Sequence, residues 1–416
     1  MRTRKELLGV FLSLLLLACF SADGFAEEMT GGKINFGKLT IVPGLALQEV
    51  YDDNIFLGNG TNVTGEAEES DWITHVMPNL LVNYDLPDRG RITAGYLGDY
   101  AYYKDFDDVD WKNHTALFNF DYEAPGGLIA GVENTYIDAE DPFGSENQYK
   151  LGRQTERWSD TLRTKLGFRF SDRFRVLTYF NYYKQDYDAL EDFTQDWDDQ
   201  EFGAGFEMRV LPRTWAFVRY FTGERDFYTH PEGFGVNDSN DADYDWQRVN
   251  VGLAWDPEGK LRGELNFGYA WKDYENTFDP TGALYDEKDT WIASTRITYA
   301  ATATTNLSLT ILRAVRDTGA NTNEYFEDTG ASIGLIQELY YKLSLLANVG
   351  YSKNEYNLPV NNPRDQDNYL ASVGLEYRLL DWLAAMTTYT YNRKDSNYAE
   401  DDYVVNKFLV GLRALY

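Results

Sequence analysis

Residues able to do chemistry are few in this chain, and their spacing argues against a catalytic centre. Gly330-Ala331-Ser332-Ile333-Gly334 has the G-x-S-x-G form of a nucleophile elbow, which presents its serine on a sharp strand-to-helix turn. Hydrophobic alternation runs straight through the segment, so no such turn is expected there. Only His75, His114 and His230 offer an imidazole base, and none stands in a serine, aspartate or metal-ligand pattern. His75 reads as a lumen residue, while His114 and His230 fall near or in acidic loops. Gly203-Ala204-Gly205 lacks the third glycine and the following helix of a dinucleotide site. The single cysteine, Cys19, lies in the N-terminal segment, which excludes a disulfide framework or thiolate cluster downstream. The chain therefore reads as a non-enzyme, with no catalytic residue, cofactor or metal site expected.

Carboxylates are the abundant reactive groups. Asp105, Asp107, Asp108 and Asp110 form one cluster, Asp196, Asp198 and Asp199 a second, and Asp241, Asp243 and Asp245 a third. Their oxygens suit Ca²⁺, but none has the glycine and terminal glutamate of an EF-hand loop. The simpler reading is a solvated acidic rim, bridged by divalent ions to lipopolysaccharide phosphates. Across the chain 67 acidic residues oppose 38 lysines and arginines, a net charge of -29. A surface of that sign repels phosphate backbones, so nucleic acid is not an expected partner.

The elements that carry these groups have a period of two from Leu39 onward. Between Trp158 and Phe170, Leu162, Thr164, Leu166, Phe168 and Phe170 share one face, while Arg163, Lys165, Gly167 and Arg169 share the other. The same split recurs at 261–272 and 369–379. Tyrosine (32) and glycine (34) far outnumber proline (11) and methionine (5), a mix suited to strands and tight turns. The spacing predicts about eighteen strands of about 10 to 14 residues, with sixteen as the alternative count, matching tilted membrane-spanning strands. Short turns such as 86–90, 124–127, 171–173, 211–213 and 256–259 interleave with long polar loops at 52–71, 138–157, 226–245 and 274–289. That rhythm is the connectivity of an antiparallel transmembrane outer-membrane β-barrel, an all-β fold with short periplasmic turns, longer extracellular loops and both termini in the periplasm. A soluble sandwich or propeller would have to bury its apolar faces against each other, and no blade repeat is present.

Residues 1–26 read as a signal peptide: Arg2, Arg4 and Lys5 precede an apolar core from Leu7 to Phe20, and Gly24-Phe25-Ala26 forms a small-x-small cleavage site. Leu16-Leu17-Ala18-Cys19 offers a lipoprotein signal as the competing reading. Residues 27–38 form a short periplasmic segment and 39–416 the barrel. No later apolar run approaches the roughly 20 residues of a spanning helix. In the last strand Val404, Phe408, Val410, Leu412, Ala414 and Tyr416 share one parity, and the terminal aromatic resembles the signal by which the barrel-assembly machinery recognises its substrates.

Parity also sorts the interior. Arg163, Lys165, Arg169, Arg175, Glu201 and Glu207 fall on the lumen face, and such mixed charges mean water or internal ion pairs. Tyr179 and Tyr183 share parity with Arg175 and Asn181, so their rings either stack on sugars or pack within the lumen. Arg313 breaks the pattern, because Leu307, Leu309, Ile311 and Val315 place it on the apolar face; near the loop end of its strand it is expected to snorkel.

Pro43-Gly44-Leu45, then Glu49-Val50-Tyr51-Asp52-Asp53-Asn54-Ile55-Phe56, Ser70-Asp71-Trp72-Ile73-Thr74 and Pro78-Asn79-Leu80 resemble the opening of the putative beta-barrel porin family. Members of that family are often encoded with exopolysaccharide or capsule systems. The resemblance implies a Gram-negative outer-membrane barrel in an envelope-polysaccharide setting, with lipid, lipopolysaccharide and polysaccharide as partners, and it transfers no catalytic residues. Three functions follow as expectations: a porin-like channel serving polysaccharide export or envelope transport, a closed structural or adhesion barrel, and, least favoured, a barrel enzyme.

Overall fold

The computed structural model describes residues 33–415 apart from 60–67, 88, 142–153, 190–191, 193–194, 229–241, 256–258, 278–283, 286–287, 318–324 and 359–360. The signal segment, His230, Asp241 and Tyr416 lie outside the described residues. A short strand β1 (Ile34–Phe36) precedes eighteen long ones: β2 (Leu39–Asp52), β3 (Asp71–Leu86), β4 (Arg89–Tyr103), β5 (Trp111–Glu123), β6 (Leu128–Asp141), β7 (Thr155–Arg169), β8 (Phe174–Tyr187), β9 (Trp197–Leu211), β10 (Thr214–Phe227), β11 (Tyr244–Trp255), β12 (Leu261–Tyr274), β13 (Lys288–Ala300), β14 (Thr305–Asp317), β15 (Tyr325–Tyr340), β16 (Leu343–Tyr356), β17 (Asp365–Leu380), β18 (Leu383–Ser396) and β19 (Tyr403–Leu415). Each long strand pairs antiparallel with the next, and β19 closes the ring on β2 from Lys407–Asp52 to Leu415–Gly44. Closure gives each of the eighteen long strands a partner on both sides, as spanning a membrane requires. The count is the eighteen that the alternation predicts.

Side-chain distribution is inverted relative to a soluble protein. Leu166, Ile333 and Val349 are 57%, 62% and 63% exposed, while Glu207, Arg219 and Gln366 are at most 1% exposed. An apolar outer wall of this kind is stable only in hydrocarbon, where each such side chain is favoured by roughly 1.5–3 kcal/mol over water. Exposed aromatics bracket the apolar band: Tyr269, Trp291, Tyr351, Tyr369 and Tyr389 toward the long loops, and Tyr299, Tyr340, Tyr341 and Tyr377 toward the short turns. These are the two interfacial girdles. No helix among the described residues is long and apolar enough to cross a membrane.

The short turns are tight for local reasons. In Ala124-Pro125-Gly126-Gly127, Gly127 adopts φ +97° and its N–H donates to Ala124 O at 2.9 Å. A Cβ there would run into the Arg169 carbonyl of the neighbouring strand, so glycine is required. Gly330 to Gly334 lie within the unbroken β15, where Ser332 pairs with Thr310 and Gly350, and no elbow exists.

Candidate functional site

The site is the lumen wall of β7 to β14. On β8, β9 and β10 the odd-numbered residues point inward, and pairing in register brings Arg175 opposite Glu207 and Asn181 opposite Glu201. Glu207 is the centre of the lower cluster. Its Oε2 accepts from Arg175 Nε at 2.7 Å, and its Oε1 accepts from Arg219 Nη2 at 2.8 Å and Nε at 3.2 Å. Arg219 continues to Glu264 on β12 through Nη1 at 2.9 and 3.0 Å. A chain of alternating charge thus crosses from β8 to β12 with its hydrogen-bonding capacity used internally. Fully buried ions persist only when paired and hydrogen-bonded in this way.

Aromatic rings pack the same wall. The Arg175 guanidinium stacks 4.2 Å from the centroid of Trp215, with Arg209 4.7 Å from the same ring, and Arg219 sits 3.8 Å from Phe217. Flat guanidinium faces suit such stacking while their edges bond carboxylates. Gly203 and Gly205 explain how large rings fit there. Each stands directly across from a bulky β10 residue, Phe221 and Arg219 respectively. A Cβ on Gly203 would come within 2.2 Å of Phe221 Cδ1, and one on Gly205 within 3.0 Å of Arg219 Cγ. The two glycines make room for the large side chains of β10.

The remaining expected lumen charges are also placed. Arg163 pairs with Glu133 at 3.2 Å, Lys165 with Asp121 at 2.5 Å and Arg169 with Glu123 at 2.8 Å. Glu201 accepts from Asn181 and, at 2.6 Å, from Arg248. Tyr179 and Tyr183 both point inward, but both rings have protein neighbours. Tyr179 packs on Phe221 at 5.4 Å and is 8% exposed, and Tyr183 packs on Trp197 at 4.6 Å and donates to Gln185 Oε1 at 2.8 Å.

Nearer the long loops lies a second cluster that sequence reasoning did not single out. Asp317 accepts from Lys272 Nζ at 2.5 Å, Arg225 Nη1 at 2.7 Å and Tyr244 Oη at 2.8 Å. Arg225 also binds Asp199 at 3.1 Å and stacks 3.7 Å from Trp197. The acidic trio expected as a rim is therefore divided. Asp199 points inward to Arg225; Asp198, one residue earlier, accepts from Tyr228 Oη at 2.5 Å. Asp196 precedes β9 and accepts the Tyr187 backbone N–H at 2.7 Å. Burial, reinforced by Asp186 and Asp192, pushes the Asp196 carboxyl up to about 7. Asp243 likewise accepts a backbone N–H, from Phe227 at 2.6 Å, whereas Asp245 is exposed. No group of three or more His, Cys, Asp or Glu among the described residues comes together to hold a metal.

One expectation needs correction. Arg313 does not snorkel from lipid: it forms an ion pair with Glu327, donates through Nε to Trp291 O at 3.2 Å and lies 4.7 Å from the Trp291 ring. The reason is local, because the β13–β14 ladder ends at Ala293–Arg313 and the guanidinium fills the opening. His114 lies near the acidic segment before β5, on the outer face of that strand, meeting Tyr96 Oη at 2.8 Å. His75 does face the lumen, 2.9 Å from Asp99.

The family model for putative beta-barrel porin 2 matches residues 30–416. The chain belongs to this porin family. Family membership and the closed, lipid-facing wall identify the protein as a porin-like β-barrel of the outer membrane. Similar solved structures are outer-membrane proteins of low identity: OpdK of Pseudomonas aeruginosa at 10%, covering 90% of this chain and 99% of that one with a TM-score of 0.45. OccAB4 of Acinetobacter baumannii is similar at 12%, covering 90% and 98%, with a TM-score of 0.45. OccK2 (OpdF) of Pseudomonas aeruginosa is similar at 10%, covering 90% and 98%, with a TM-score of 0.46. A search of curated proteins returned no match.

Proposed function

We propose that this porin conducts small hydrophilic solutes across the outer membrane with a weak preference for cations, its long acidic loops outside the cell and its short turns in the periplasm. One observation carries the reading: the inner wall of an eighteen-stranded ring is polar and charged, yet its charges are matched in pairs. A ring of this size encloses an aqueous lumen unless filled. Paired lumen charges contribute little net potential, so the net charge of -29 acts mainly from the loop end. At about 0.15 M salt the Debye length is near 8 Å, so only solutes passing close to loop carboxylates feel them. Export of an envelope polysaccharide is the physiological setting we infer from the family resemblance, with lipopolysaccharide around the barrel and the assembly machinery engaging β19. Residues 1–26 would be removed on export.

Reversal potentials in a salt gradient across planar bilayers test this. A weak cation preference that grows as salt is lowered is expected; a clear anion preference overturns it. The closed structural barrel is favoured by one specific feature, the complete burial of Glu207, Arg219 and Gln366 inside the ring. Absence of conductance in reconstituted protein decides for that reading.

A further inference from the structure

The wall is not continuous at the long-loop end. β13 extends to Lys288 and β14 to Asp317, yet the two pair only as far as Ala293–Arg313. β14 stays paired with β15 to its last residue, Asp317 opposite Tyr325. Lower down, odd-numbered residues of this hairpin face lipid, as the exposure of Leu307 and Ile333 shows. Continued parity would send Glu327, Tyr325 and Asp317 into lipid as well. Instead Glu327 is bound by Lys288 and by Thr290 Oγ1 at 3.3 Å, and Tyr325 is only 3% exposed. Asp317 meets Lys272 on β12, Tyr244 on β11 and Arg225 on β10. All of these partners, Lys288 and Thr290 on β13 included, have the lumen-facing parity of their strands. β15 stays paired with β16 up to Phe326–Tyr356, so the wall opens between β13 and β14, and its edge at the end of β14–β15 has turned inward, the former lipid face lying against the inner face of β10–β13.

We propose that this inward-turned edge is the constriction of the pore and that Asp317 is the residue that holds it, setting the size limit for solutes. The proposal rests on the channel reading above. Asp317 is suited to the role because one carboxylate ties the edge to three wall strands at once. Without it the ties to β10, β11 and β12 are lost together, Arg225 retaining Asp199 while Lys272 gives up this buried carboxylate, and the inward-turned edge is loosened. A two-stranded layer packed face to face occupies roughly 10 Å of the lumen's width. Its withdrawal widens the path for ions and for larger solutes.

The test is single-channel conductance in planar bilayers, together with uptake of uncharged oligosaccharides of increasing size by proteoliposomes. It compares wild type with Asp317→Ala, Asp317→Lys and the charge-exchanged pair Asp317→Lys with Lys272→Asp. Heat-modifiable gel mobility verifies that each barrel is folded, and Lys272→Met loosens the same tie from the wall side should the Asp317 variants fail to fold. Conductance at least about twofold above wild type and a larger size limit are expected for the single variants, with partial return toward wild type in the exchanged pair. Wild-type conductance and size limit in every folded variant overturn the proposal while leaving the channel reading intact. If neither wild type nor any variant conducts, the channel reading falls and takes this inference with it.

Discussion

Glu207→Gln is the sharpest test of the buried network. Glu207 is 0% exposed, and its two oxygens serve two arginines that are themselves 4% and 1% exposed, Arg175 and Arg219. Glutamine keeps the volume and one acceptor oxygen but removes the negative charge. Arg219 retains Glu264 on its far side. Arg175 keeps its place over Trp215, which offers only the weak attraction of a ring face. Removing one member of a buried ion pair typically costs about 3–5 kcal/mol, because the remaining charge stays desolvated. That corresponds to roughly two to three and a half powers of ten in the folding equilibrium constant. Denaturant titration of protein refolded in detergent or short-chain lipid, followed by tryptophan fluorescence, measures it, and Trp215 lies beside the lesion. Glu207→Gln combined with Arg175→Met should recover part of the loss, since the double variant leaves fewer unmatched charges. A single variant within about 0.5 kcal/mol of wild type, or a double variant less stable than additivity, would refute the idea that the charges are buried and coupled.

Three further outcomes are expected. Gly203→Leu should lower stability by about 1–3 kcal/mol through overlap with Phe221, and Phe221→Leu should relieve it; a neutral Gly203→Leu in the same titration would show that the ring does not lie across the glycine. Ile333→Arg, on the lipid face of β15, should cost about 2–4 kcal/mol if it lies near the bilayer midplane, and an unchanged unfolding midpoint would mean that the parity assignment is wrong. Asp196 has its carboxyl raised to about 7 by burial and by Asp186 and Asp192, so the folded state favours the protonated form. Its contribution is fully present below the unfolded value near 3.9 and is lost as pH rises through about 7. The difference in stability between wild type and Asp196→Asn should therefore change between pH 4 and 7 in the direction of wild-type weakening; a difference that stays constant with pH would exclude the shift.

The strand count and the positions of the turns were legible in the sequence because a period of two is a local property. Leu166 and Phe168 against Lys165 and Arg169 declare their faces without reference to any other strand, and Pro125-Gly126-Gly127 declares its turn. The same local logic placed Arg163, Lys165, Arg169, Arg175, Glu201 and Glu207 inside, where the structure has them paired. It failed on β10. Both faces of that strand are rich in apolar residues, with Trp215, Phe217 and Phe221 inside and Val218 and Tyr220 outside, so parity could not announce that Arg219 is the hub beside them. A nearby signal existed in Gly203 and Gly205, whose alternation on the facing strand leaves room for the large side chains of β10, but reading it requires the register.

Register and wall continuity are tertiary facts. Nothing local to Ala293 or Arg313 states that their ladder stops there, and Arg313 looked like a lipid-facing charge only because the wall was assumed to continue. Likewise Asp199 reads as one carboxylate of a loop cluster until the pairing sets Arg225 opposite it. Asp317 has no local signature at all, since its three donors lie 45 to 92 positions away in the chain, a separation bridged only when the ring closes and the wall edge turns inward. Alternation decided which side of each strand meets lipid, because transfer of side chains to hydrocarbon depends on one residue at a time. The partners of the buried charges were decided by tertiary structure alone, because a charge taken out of water must find its opposite wherever the fold brings one within reach.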